Sequence, residues 1–148
     1  LYTAVETLLK GPEISLTAHG HPPYRDKDGY SRKRARVRWW NNGATTLRDL
    51  AEMGAGFSIA EGVPYPELPA TEVSAEHRSH VYEHPIPVFY GHYWRRGKPE
   101  RLHDWTDYTA CVDFSAVKGG ALTAYRWSGE PRIDADNYFP VGRQQRGN

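Results

Sequence analysis

The sequence predicts a mixed fold, α+β when taken by itself, with mostly antiparallel strands and two or three short helices. Three observations predict it. Short stretches of helical periodicity stop at glycine or proline. Apolar runs of strand length cluster in the C-terminal half, bounded by turn residues. The composition is globular: of 148 residues, 39% are hydrophobic and 25% charged, which excludes a disordered chain.

The elements follow in order. Residues 3–10 read as a helix with Val5, Leu8 and Leu9 on one face. Lys10 suits its C-terminal dipole, and Gly11-Pro12 stops it. So short a helix must dock on something to persist. Residues 15–31 read as loop, with Asp28-Gly29 as a hairpin-type turn pair. Arg32 to Trp40 reads as a strand. Arg34, Arg36, Arg38 and Trp40 share one face; Lys33, Ala35, Val37 and Trp39 share the other. Thr45 to Met53 reads as a second helix capped by Gly54, and residues 55–70 as loop. Thr71 to His84 reads as a third short helix. Strands are predicted at Ile86–Tyr90, Tyr108–Phe114 and Ala121–Trp127, with Arg95–Asp107 an exposed polar connection. Lys118-Gly-Gly120 reads as the turn of a hairpin joining the last two strands. The polar tail from Arg143 is expected to fray. The whole reads as one domain or partial domain over residues 1–148.

Charge names no partner: Lys plus Arg is 19 and Asp plus Glu is 18. The single cysteine, Cys111, cannot form an internal disulfide and fits a reducing, cytoplasmic compartment. No apolar run reaches the ~20 residues that span a bilayer, and no basic-then-apolar leader opens the chain. The Leu1 start suggests a piece of something longer.

Four features carry candidate chemistry. Gly91-His92 ends an apolar strand, where α/β sheets gather ligands, and neutral imidazole is the commonest metal-binding side chain; the alternative is a structural histidine. His77, His80 and His84 would share a helix face near Glu76 and Glu83, a spacing that suits zinc; the alternative is a solvated polar segment. The alternating arginines beside tryptophans suit single-stranded nucleic acid, an anionic substrate, or a soluble edge strand. Cys111, among apolar neighbours, reads as inert. No Gly-x-Ser-x-Gly elbow and no phosphate-cradling glycine loop is present, and no catalytic residue is assigned.

Val88-Phe-Tyr-Gly-His-Tyr-Trp94, followed by Ala110-Cys-Val-Asp-Phe-Ser-Ala-Val-Lys-Gly-Gly-Ala-Leu-Thr-Ala-Tyr-Arg-Trp127, resembles the end of the calcineurin-like metallophosphoesterases. The nearest branch is that of the bacterial diadenosine tetraphosphatases and serine/threonine protein phosphatase-like enzymes. Tyr2–Glu13 and Asp26-Lys-Asp-Gly through Trp40 resemble the middle of bacterial members. The resemblance implies an α/β two-sheet sandwich, of which this chain is the C-terminal part. It implies two divalent ions, Mn, Fe or Zn, that bind phosphate and activate a bridging water. His92 would be a metal ligand. Arg95 and Arg96, which follow it, are candidates to meet substrate phosphate; the alternative is a pair of exposed, solvated loop arginines. Asp113 and the Gly119-Gly120 turn would be structural. Trp94 stands where other branches carry a second histidine. The family's Asp-x-His, Gly-Asp-x-x-Asp-Arg-Gly and Gly-Asn-His-Glu blocks are missing from this sequence. The implied partners are a phosphorylated substrate or nucleotide and an N-terminal half or second protomer, with no membrane. The rival reading is a metal-free aromatic and basic module for single-stranded nucleic acid or a partner protein.

Overall fold

Alternation along Arg34-Ala-Arg-Val37 decides the first sheet. Ala35 and Val37 are fully buried, while Arg34 and Arg36 face outward, as a strand with one dry face requires. The computed structural model describes residues 2–54 and 56–141. The chain forms two compact units, Leu1–Tyr82 and Glu83–Asn148. The predicted fraying tail from Arg143 lies outside the described residues.

In the first unit, helix α1 (Tyr2–Lys10) leads to strand β1 (Glu13–Ser15). Then come β2 (Tyr24–Arg25), β3 (Ser31–Arg32), β4 (Arg34–Val37), helix α2 (Leu47–Leu50), β5 (Ala51–Glu52), β6 (Ser58–Ala60), β7 (Val63–Pro64) and helix α3 (Ala75–Arg78). One sheet runs β1-β4-β5 and the other β3-β2-β6-β7, all antiparallel. The register sets Ile14 opposite Ala35 and Val37 opposite Ala51. Leu16, Leu47 and Leu50 close the core around them.

Several elements differ from the sequence reading. The basic strand read over Arg32–Trp40 is divided: Ser31–Arg32 is an edge strand of one sheet, while Arg34–Val37 is the centre of the other. Its arginines are engaged. Arg34 lies 3.3 Å from Glu13, Arg38 lies 2.7 Å from Glu52, and Arg36 donates to the Lys10 carbonyl. The helix read over Thr45–Met53 keeps one turn. Thr46 caps it, its hydroxyl accepting the Asp49 N–H and donating to the Asp49 carboxylate. Ala51 then turns extended to pair with Val37, so the ladder takes the residues that helical periodicity claimed. The apolar face of α1 finds no cover among the described residues: Leu8 is 85% exposed. The Asp28-Gly29 turn forms as expected, with Asp26 Oδ1 accepting the Asp28 and Tyr30 N–H groups.

In the second unit, β8 (Val88–Tyr90) pairs in parallel with β9 (Thr109–Cys111), and β10 (Leu122–Tyr125) pairs antiparallel with β11 (Tyr138–Val141). Strand β9 is wholly buried. Ala110, Phe114, Ile133 and Tyr138 form the core. The predicted hairpin between the last two strand candidates is not formed, since β9 takes β8 and β10 takes β11. The reason lies in the connection. Ser115 adopts a left-handed backbone and Ala116–Lys118 winds into a 3-10 turn that Gly119 ends at φ 84°. In the β10–β11 ladder Thr123 faces Pro140. The fold is mixed, with eleven strands and three short helices among the described residues. No helix among them is long and apolar enough to cross a membrane.

Candidate functional site

The turn after β8 is built by Asp113. Strand β8 ends at Tyr90, and Gly91-His92 follows off its carboxyl end. His92 and Trp94 both have left-handed backbones, φ 76° and 52°, a conformation that costs a residue with a side chain. The Asp113 carboxylate compensates. Its Oδ2 accepts the His92 N–H at 2.9 Å and the Trp94 N–H at 3.4 Å, and its Oδ1 accepts the Ser115 N–H at 3.2 Å. Parallel pairing of β8 with β9 brings Asp113, just beyond β9, to the same end as His92. The clamp leaves the His92 side chain exposed. Lys118 lies over the Trp94 ring, 4.5 Å from its centre.

The arginines behind this turn take different places. Arg96 is exposed, as expected of a loop arginine. Arg95 is not: it is 5% exposed, and its Nε lies 3.1 Å from Asp104 Oδ1, itself in a residue 1% exposed. The contact is ionic, without aligned hydrogen-bond geometry at that nitrogen. Arg95 also donates to the His103 carbonyl at 3.2 Å, and His103 Nδ1 lies 2.6 Å from Asp104 Oδ1. Removing either Arg95 or Asp104 strands a buried charge, so Arg95 is positioned to hold the loop rather than to meet a ligand. The Asp104 carbonyl accepts the Cys111 N–H at 2.8 Å, which ties this loop to β9. Burial pushes the Cys111 thiol up to about 11 and also raises the Tyr90 phenol. A thiol so held is a poor nucleophile.

The predicted histidine triad is not formed. Helix α3 spans Ala75–Arg78 only, so His80 and His84 lie beyond it and share no helical face with His77. Pro85 disfavours helix at its predecessor. Among the described residues, no three His, Cys, Asp or Glu side chains are grouped to hold a metal ion. His92 is therefore one donor without a completed ligand set, and these residues do not by themselves fit a two-ion centre. Of the strand's arginines, Arg34 and Arg38 face the carboxylates of Glu13 and Glu52, while Arg36 is tied to a backbone carbonyl. Sequence reasoning missed Asp104, because nothing local marks a carboxylate as the partner of an arginine across a loop.

No family model matches the chain, and neither the curated proteins nor the solved structures give a significant match.

Proposed function

We propose that the chain is the C-terminal portion of a metal-dependent phosphoesterase that hydrolyses phosphomonoesters or nucleotide polyphosphates, with His92 as its contribution to a centre of two divalent ions. One observation carries the reading. His92 projects from a strained turn off the carboxyl end of a strand, and the Asp113 carboxylate holds that turn by accepting the His92 and Trp94 N–H groups. Strain kept in place by a dedicated carboxylate accords with a side chain that has a task. On this reading Asp113 and the Gly119-Gly120 turn support the site from beneath, and Arg96 faces substrate. The second unit then belongs to a two-sheet sandwich. The remaining ligands, of Mn, Fe or Zn, come from an N-terminal half or a second protomer.

The test has two arms. Metal analysis of this chain after dialysis should find no tightly held pair of ions. In a polypeptide that joins this chain to the missing metal-binding blocks, manganese-dependent hydrolysis of p-nitrophenyl phosphate or a dinucleotide polyphosphate should appear. There His92→Asn should lower kcat at least about 100-fold with the fold intact. Two tightly held ions on the chain alone, or unchanged hydrolysis in His92→Asn, would overturn the proposal.

A further inference from the structure

His77 lacks its predicted triad, yet it has a histidine neighbour in the first unit. His19 closes the 3-10 turn Thr17–His19, and its ring lies 5.5 Å from the His77 ring, centre to centre, at 70°. Each ring is tied by its Nδ1. That of His19 lies 2.7 Å from the Ser15 carbonyl oxygen, and that of His77 lies 2.9 Å from Ser74 Oγ. A carbonyl only accepts, so His19 carries its proton on Nδ1 and its lone pair on Nε2. The Ser74 hydroxyl can accept from His77 in the same sense. Neither Nε2 makes a hydrogen bond among the described residues.

An edge-to-face ring contact accounts for 5.5 Å. So does shared ligation: two imidazoles bound through nitrogens ~2 Å from one tetrahedral ion place their ring centres about 5 Å apart. The Nδ1 partners favour the second. An oxygen acceptor on Nδ1 fixes the tautomer, orients the ring and raises the basicity of Nε2, as in the outer shell of bound metals. A bare ring contact needs neither partner. We propose that His19 and His77 form a two-imidazole site for a borderline divalent cation of the zinc, nickel and copper class, with water completing the coordination. The ion would clip the turn after β1 to α3, two segments far apart in sequence, and bind only the folded first unit. Two protein ligands make it weaker than a four-ligand structural site.

The probe is zinc alone, added to the whole chain. Histidine side-chain NMR should show the His19 and His77 resonances shifting together and saturating near ~1 equivalent. The thermal midpoint should rise with zinc. His19→Gln and His77→Gln should each weaken binding at least about ten-fold, whereas His80→Gln should leave it unchanged. Ser74→Ala keeps both rings and should still weaken binding by about ten-fold, because the His77 ring loses its orienting partner. Circular dichroism establishes that each variant is folded; should a glutamine variant unfold, Ser74→Ala and the wild-type spectra decide. Zinc shifts that spare the pair, or a Ser74→Ala variant that binds as wild type, would reduce the pair to a ring contact and sink the proposal. The readout is taken at the His19 and His77 resonances, which the phosphoesterase reading does not use, so the two proposals fail separately.

Discussion

Only hydrogen fits at Gly120. A Cβ there would sit 2.0 Å from the Phe114 carbonyl oxygen and 3.0 Å from that of Ser115, both backbone atoms that cannot swing aside. Gly120→Ala should therefore cost about 2–4 kcal/mol, read as a lower denaturation midpoint with unchanged slope. Its neighbour Gly119 is needed for another reason, its φ of 84°. The sequence marks both as a turn but cannot separate a backbone angle from a lack of room. Asp113 poses the same difficulty. Its position between β9 and the glycine turn is legible, but its three N–H partners lie at His92, Trp94 and Ser115. Two of those become neighbours only through strand pairing. Arg95 and Arg96 are adjacent and chemically alike, and tertiary structure alone buries one and exposes the other.

At the scale of elements, turns were more legible than partners. Asp28-Gly29 and Lys118-Gly-Gly120 bend the chain where local chemistry says they should. Which strands then meet is decided by burial far along the chain, so β10 pairs forward with β11 and not back with β9. Helices were overestimated for a related reason. Helix α2 carries the predicted face, with Leu47 and Leu50 fully buried, but β5 begins at once beyond it. The turn is thus held by packing far more than by its own helical propensity. Leu50→Ala should cost about 2–5 kcal/mol through lost burial and the cavity left behind. Urea unfolding of the first unit, followed through the Trp39 and Trp40 fluorescence, would measure it.

For the whole molecule, the division after Tyr82 leaves no composition signal. Tyr82-Glu-His84 falls inside the stretch read as a third helix, with Pro85 just beyond it, and the boundary emerges from which residues pack together. Two cores with separate residues predict two unfolding steps rather than one. Calorimetry should resolve them: Leu50→Ala lowers one transition, Gly120→Ala lowers the other, and the effects add in the double variant. The β10–β11 ribbon has a further consequence. Arg126 donates to Asn137 just beyond the ladder, and the alternation from there turns the Pro140 nitrogen away from β10. On its open side β11 thus lacks a donor in the middle of the row, although Phe139 and Val141 beside it are apolar and exposed. A stray chain could not extend the ribbon there without losing a hydrogen bond, so the proline acts as a gatekeeper against fibrillar assembly of an otherwise adhesive strand.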